Sequence, residues 1–523
     1  MQGAHLPFFL PLSFVLQLSY IGGGEHMRES IPERIKTIAS EYRDKIAVSK
    51  GNWTITYEDL LKEIETEALH MEKAGLKPGM RVVTVLPNGF HALRFFLGCF
   101  RSGVVPLPLS PRYPKELVKK IFLGADAQLL LTDSSFGSIE GIPQGVMDER
   151  GMITYPETLL NPQETFPEFE SPVACLFATS GTTGIPKLVM LTHWNLLSDI
   201  DSCFDLVDIS PEDRMLGVLP MFHVFGFSIA YLLPLAKGMT LTIVPSLHPL
   251  NAFVESLKRY QSTVFLGVPA LFSILTGARA KAEFDLHPLR LLICGGDALP
   301  QKVRENFENA FGLKIIEGYG ITEASPVVSV NPSPEVRVPG SAGPVIEAIQ
   351  LHIVDEEGKD VPQNEIGEII LSGDPISPGY FQNPAENAKS FREGWFYTGD
   401  LGKRDERGIL FIEGRKKELI IVSGFNVYPQ EVEEVLLSME GIARVAVVGE
   451  KRALRGEMVK AYVVLEEGAN LDPVEIVRFC KKKLPPYKVP RLLEIVAELP
   501  QTVTGKVMKY LITSSGREVE VGE

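Results

Sequence analysis

From Arg81 onward, short apolar runs alternate with amphipathic stretches. Arg81 to Leu86 reads as a buried strand, and Phe90 to Arg101 as a helix with Ala92, Phe95, Phe96, Cys99 and Phe100 on one side. Val104 to Leu109 is strand-like but broken by prolines, and Ala127 to Thr132 reads as a strand. The alternation predicts further strands at 213–219, 240–244, 263–267, 290–294 and 314–317. Helices are predicted at 224–236, 250–260, 269–276 and 300–311. Strands separated by helices of this length predict right-handed βαβ units and mixed or parallel sheets. After about residue 345 the texture changes: Gln350 to Val354, Glu368 to Ser372 and Ile409 to Glu413 read as strands joined by Gly and Asp turns. Beyond Arg415 the chain reads as helix 429–439, strands 443–448 and 459–465, and helix 474–483. The expected fold class is α/β: a large N-terminal domain (27–414) of βαβ-built sheets with a small β-rich lobe, then a small α+β C-terminal domain (415–523).

Composition narrows the function. Of 523 residues, 45% are hydrophobic and 23% charged, near the average of soluble globular chains, which excludes a disordered, collagenous or polytopic membrane protein. Lys and Arg total 52 against 66 Asp and Glu, a formal charge of −14, so a bulk nucleic-acid binder is not expected. The 5 cysteines are spread without a Cys-x-x-Cys pair, so no disulfide framework or zinc site is expected, and a reducing, cytoplasmic compartment is. Leu6 to Ile21 is apolar but interrupted by Pro7 and Pro11, and Met1 to His5 lacks the basic start of a signal peptide. Codons for Gly23-Gly24-Glu25 can spell a ribosome-binding sequence just before the Met27 codon. Residues 1–26 are accordingly expected to be a leader absent from the natural product or disordered, with membrane contact peripheral at most.

The densest chemistry lies in Leu176-Phe-Ala-Thr179-Ser180-Gly181-Thr182-Thr183-Gly184-Ile-Pro-Lys187. A strand leads into a loop of glycines and hydroxyl residues ending in a lysine. Such a loop can aim backbone N–H groups, hydroxyls and one ammonium at a polyphosphate. Its spacing is not that of a Walker A loop.

This segment resembles the phosphate loop of the adenylate-forming superfamily: acyl-CoA synthetases, luciferases and peptide-synthetase adenylation domains. Glu317-Gly-Tyr319-Gly320-Ile-Thr322-Glu323 resembles that family's adenine and metal segment, and Tyr397-Thr-Gly-Asp400 its ribose segment. Gly414-Arg415-Lys-Lys417 resembles the interdomain hinge, Ser423-Gly424-Phe425 the loop of the second half-reaction, and Pro500 to Lys506 the catalytic-lysine segment. The resemblance spans residues of about 30 to 510 and implies an AMP-forming ligase with a mobile C-terminal lobe. On it, Lys506, Thr322, Glu323 and Lys187 are expected to be catalytic. Thr179 to Gly184, Lys187, Gly296, Asp297, Tyr319, Gly320, Thr322, Asp400 and Arg415 are expected to hold ATP or AMP. Glu323 and Thr179 offer hard oxygens for Mg²⁺. Lys417 is the expected hinge, and Gly424 and Phe425 the thiol tunnel. The chain departs from the pattern at Ala178, Leu188 and Glu418, none of them a reacting group.

Leu219 to Phe227 resembles the family's acyl-pocket segment, so Met221, His223, Phe225, Gly226, Val268 and Ala270 are expected to line the acid's pocket. No acid lies in 219–227 to neutralise an α-ammonium, whose unpaired burial would be costly. A plain aliphatic acid is therefore expected, and the segment resembles most closely fatty acyl-CoA ligases. The expected reaction forms an acyl-adenylate from a fatty acid and ATP, then transfers the acyl group to coenzyme A. Delivery to an acyl-carrier protein stands as the alternative acceptor, and a non-catalytic acyl or nucleotide sensor as a more distant alternative.

Overall fold

The computed structural model describes residues 28–163, 165–179, 186–247, 249–452, 456–501, 506–512 and 518–520. The expected leader lies outside them. The organising element is an eight-stranded sheet whose central strands, Arg214–Gly217, Val264–Gly267, Leu291–Cys294 and Ile315–Gly320, run parallel. Met215 pairs with Val264, Val264 with Leu291, and Cys294 with Glu317. Both faces are covered, which is why Val264–Gly267 and Leu291–Cys294 read as unbroken apolar runs.

Successive side chains point to opposite faces of a strand. Met215, Val264, Leu266, Leu291 and Ile293 therefore enter the principal core, while Leu216, Phe265 and Leu292 enter a second one. Helices Leu250–Tyr260, Pro269–Arg279 and Gln301–Phe311 close the second face through Phe253, Phe272 and Phe307. The principal face is closed by helix His193–Leu206, whose Leu196, Leu197, Ile200 and Cys203 are buried, and by the helical stretch Phe225–Ala236.

That stretch differs from the expected 224–236 helix. Phe225–Leu232 is a π-helix and only Leu233–Ala236 is α. Every residue of Phe225–Leu232 except Phe225 is buried, so no polar face registers a period of 3.6. Phe227 is wedged edge-on among Phe96, Phe100 and Phe177 at centroid distances of 5.5, 5.9 and 5.4 Å. A Cβ on Gly226 would lie 2.2 Å from the Pro220 carbonyl oxygen, so glycine alone fits that approach.

A five-stranded sheet of Val105–Pro108, Arg81–Val85, Leu129–Asp133, Gln144–Met147 and Ile153–Thr154 packs alongside, and a three-stranded sheet pairs Val173–Thr179, Lys187–Thr192 and Gly379–Tyr380. The β-rich lobe is built on Ile349–Val354, Gly367–Gly373, Trp395–Arg404 and Leu410–Arg415. In the C-terminal lobe, Ile442–Arg452, Gly456–Leu465 and Leu492–Ile495 pack against helices Pro429–Leu437 and Pro473–Lys481. Lys302 and Glu466 join the two lobes at 3.0 Å. Among the described residues, no helix is long and apolar enough to cross a membrane.

Candidate active site

A cavity of about 720 Å³ opens at the carboxyl ends of the parallel strands, where α/β sheets present their crevice. Gly295 and Gly296 follow one strand, Gly318 to Gly320 end the next, and His223 lies beyond a third; all line it. Its two walls are chemically opposite.

The charged wall gathers residues from across the chain. Thr179 and Lys187 face each other across an antiparallel pair, and both line the cavity. Ser180, Gly181, Thr182, Thr183 and Gly184 lie outside the described residues. Tyr380 is brought beside Lys187 because Gly379–Tyr380 pairs with Val189 and Met190. Its hydroxyl donates to Glu323 at 2.8 Å, and the Lys187 ammonium lies 4.8 Å from its ring centroid. Burial pushes the Glu323 carboxyl above its usual range, with the Tyr380 hydrogen bond, Lys187 and Arg415 opposing. Thr322 and Glu323 share the 3-10 turn Thr322–Ala324.

Asp400 is buried on strand Trp395–Arg404. It accepts a hydrogen bond from the Tyr319 hydroxyl at 2.6 Å and pairs with Arg415 at 3.0 Å. Each carboxylate oxygen has two lone pairs, so both retain capacity for a sugar hydroxyl. Asp400 raises the Arg415 guanidinium further, and Arg415 is therefore a fixed charge at the cavity wall.

The apolar wall runs down the principal-core face of the sheet. Phe177, Phe225, Ile229, Leu233, Ile293 and Val330 line it, and it continues to Met215, Val264, Cys203 and Val207. Val264 lies three residues below Gly267 on its strand, a descent of about 10 Å at ~3.3 Å per residue. Cys203 lies in the last turn of its helix and Val207 directly follows that helix, and no charged side chain occurs among these ten residues.

The sequence-predicted pocket residues divide accordingly. His223 and Phe225 line the cavity; Gly226 and Val268, with Gly296, Asp297 and Lys506, line a smaller adjoining recess of about 20 Å³. Met221 and Ala270 line neither. Met221 is buried in the principal core, its backbone N–H donating to the Asn88 side chain. Ala270 stands in the first turn of helix Pro269–Arg279 and packs against the principal core. Proximity to the motif pointed to them; both lie on the principal-core side, Met221 within that core and Ala270 packed against it, yet neither reaches the cavity surface.

Lys506 lines both the cavity and the recess. Burial, with Lys506 adding repulsion, pushes His223 down to about 4, so it is neutral near pH 7. Lys417 lies in the 3-10 turn Lys416–Glu418, its ammonium pushed down by burial and then by Arg415 and Lys506. Gly424 has φ +85 with nothing within 4 Å of a built Cβ, so a side chain there meets backbone strain and no clash. Phe425 is exposed and stacks on Tyr487 at 4.7 Å. Neither Gly424 nor Phe425 lines the cavity in this arrangement.

Among the described residues, no group of three or more His, Cys, Asp or Glu side chains is placed to hold a metal. The residues missed by sequence reading include Tyr380, Glu386 and the deep wall from Cys203 to Val264. Tyr380 carries no spacing signal; only the sheet pairing of Tyr380 with Val189, far apart in the chain, brings it to Lys187.

The AMP-binding enzyme family profile matches residues 35–381, and that of the AMP-binding enzyme C-terminal domain residues 431–506. A long-chain-fatty-acid–CoA ligase of Bacillus subtilis (strain 168) is 32% identical over 514 residues, covering 90% of this chain and 92% of that protein. The crystal structure of ATP-bound MatB from Rhodopseudomonas palustris superposes with a TM-score of 0.83 at 29% identity, covering 92% of this chain and 98% of that one. The O-succinylbenzoate coenzyme A synthetase of Bacillus subtilis, in complex with ATP and magnesium ion, gives 0.80 at 26% identity, covering 91% and 98%.

Proposed function

The chain belongs to the AMP-binding enzyme family and is an adenylate-forming acyl-CoA ligase, and on that premise we propose that its acid is an aliphatic fatty acid. The observation that carries this is the uncharged wall descending from Phe225 and Ile229 to Met215, Val264 and Cys203. Burial of an alkyl chain there yields ~0.8 kcal/mol per methylene, whereas an α-ammonium finds no carboxylate in 219–227. The Bacillus subtilis long-chain ligase supports the same reading through its name.

In the first half-reaction the fatty carboxylate attacks the α-phosphorus of ATP and diphosphate leaves. Asp400 receives the ribose, Tyr319 the adenine, and Gly296 and Gly320 border the nucleotide. Lys187, Arg415 and Lys506 supply positive charge where phosphoryl oxygens gather, the largest expected contribution in such a transfer. Glu323 and Thr179 present hard oxygens on the same wall, a donor set that fits magnesium retaining several phosphate and water ligands. When bound, magnesium would offset charge on the phosphates, and it would compensate the buried Glu323 carboxylate.

In the second half-reaction the C-terminal lobe turns about Lys417, withdraws Lys506 and brings Gly424 and Phe425 to the cavity; the coenzyme A thiol loses its proton and attacks the acyl carbon, the acyl–O–phosphate bond breaks, and AMP leaves. His223 is neutral and serves as a wall between acid and nucleotide. The test is an acid panel scored by diphosphate release and by acyl-CoA formation. Aliphatic acids of eight or more carbons are expected to exceed benzoate-type and α-amino acids by at least about ten-fold. Turnover of an α-amino or aromatic acid above that of octanoate overturns the reading.

A further inference from the structure

Lys187 does not face an empty cavity. Its ammonium is paired with the Glu386 carboxylate, and the two side chains are 28% and 24% exposed. Glu386 belongs to helix Pro384–Ser390, whose start is capped by Asn383. The helix is clasped to the site by Asn387, which accepts from the Tyr380 N–H at 2.7 Å and donates to the Tyr380 carbonyl at 2.9 Å. The Ser390 hydroxyl donates to Glu386 at 3.3 Å. Tyr380, in turn, holds Glu323 by its hydroxyl and seats Lys187 on its ring. Glu386, Lys187, Tyr380 and Glu323 all line the same cavity. The resemblance to known ligases assigned Glu386 no role, and its chemistry runs against a triphosphate site: a carboxylate beside the phosphate-binding lysine both cancels that charge and repels the polyanion.

We propose that Glu386 is an electrostatic latch for Lys187, holding the ammonium when no triphosphate is bound and giving it up when one arrives. This rests on the reading that Lys187 meets the ATP phosphates. The exchange replaces one anionic partner of Lys187 by another, so the lysine is never left unpaired in the half-buried wall. The consequence is a deliberate weakening of ATP binding. After adenylation, Glu386 competes with diphosphate for the same ammonium and speeds its departure. Glu386 is thus a positioning residue: it touches no reacting atom and acts through Lys187.

The experiment uses the purified full-length chain without acid or acceptor, titrated calorimetrically with α,β-methylene-ATP and separately with AMP. Glu386→Gln keeps the shape and the Ser390 contact but removes the charge. It should bind α,β-methylene-ATP about ten-fold more tightly and leave AMP within about two-fold, since AMP lacks the phosphates Lys187 would meet. Glu386→Ala should do the same. In turnover assays KM for ATP should fall while KM for the acid is unchanged, and inhibition by added diphosphate should strengthen. A Lys187→Met background should erase the gain from Glu386→Gln. Unchanged or weaker binding of α,β-methylene-ATP by both Glu386 variants overturns the latch, as does equal tightening of AMP. If Lys187→Met alone binds α,β-methylene-ATP like the unaltered protein, the phosphate role of Lys187 fails instead, a result distinct from either.

Discussion

The cavity wall that carries Met215, Val264 and Cys203 is set by strand register and helix packing, whereas the wall that carries Lys187, Glu323 and Arg415 is set by contacts between segments far apart in the chain. On the first, each side chain is held by its neighbours' volume, and interiors at crystal-like density resist even one added methylene. On the second, three of the cations are held by carboxylates: Lys187 by Glu386, Arg415 by Asp400, and Lys416 by Glu368. One wall recognises by shape and answers to changes in volume. The other recognises by charge, and its pairs can be traded for those of a ligand. The two walls should therefore fail differently when altered.

The largest effect is expected on the charged side. Lys506→Ala removes a positive charge from the junction beside His223 and should cut acyl-adenylate formation by about 10²–10³-fold. Synthetic acyl-adenylate plus coenzyme A should still yield thioester, and the ranking of acids by chain length should not move. A changed ranking would show that the two walls are not separable.

How far this division was legible from sequence depends on the wall. The parallel sheet, the helices covering its second face and the compact C-terminal lobe follow from apolar period, because buried strands and amphipathic helices leave a strong trace. The phosphate-loop density pointed to Lys187, whereas Glu323, Asp400, Arg415 and Lys506 were expected because their segments resemble those of the adenylate-forming family. The deep apolar wall left no such trace. Met215 and Leu216 are equally apolar in sequence, and only the pleat decides that one faces the cavity and the other the second core. Met221 and Ala270 were expected in the pocket from their nearness to the motif, and neither lines it. The π-helix at Phe225–Leu232 was hidden for a related reason: a segment apolar on every side carries no period. Glu386 and Tyr380 owe their places to a two-residue strand pairing and one short helix, contacts that no local pattern encodes.

A second, smaller effect tests the apolar wall. Cys203→Phe places a ring in the deep part of the cavity, where Cys203 is nearly buried beside Val207. Turnover of hexadecanoate should fall about 10- to 100-fold while that of octanoate changes little, as expected for a hydrophobic pocket shortened by a few methylenes. KM for ATP should not move. Val268→Phe, at the recess, serves as the contrast. If Val268→Phe shortens the preferred chain and Cys203→Phe does not, the acyl chain follows the recess, and the deep wall is mere core.

The smallest effect separates two buried histidines that sit on either side of the comparison. Burial pushes both His193 and His223 down to about 4. His193 begins the helix behind the apolar wall, where its Nδ1 accepts from the Ile31 N–H at 3.4 Å and Glu33 partly opposes the shift. His223 faces the cavity, and Lys506 adds to the shift. Both are lowered relative to the ordinary value of ~6.5, so the unfolded chain binds more protons between pH 6.5 and 4. Their contribution to stability is therefore complete above pH 6.5 and is lost as the pH falls toward 4. By pH 5 that loss is at most about 2 kcal/mol for His193, and less for His223, whose cavity admits water. The measurement is the urea midpoint at pH 7 and pH 5. His193→Gln should flatten the fall between them, because glutamine keeps an acceptor for Ile31 and cannot titrate. Lys506→Ala should flatten it slightly by relieving His223 and Glu418, and adding Lys506→Ala to His193→Gln should give the sum. A Lys506→Ala effect that vanishes in the His193→Gln background would mean that the two imidazoles report one coupled acid transition, and that the walls are joined more tightly than their separate packing implies.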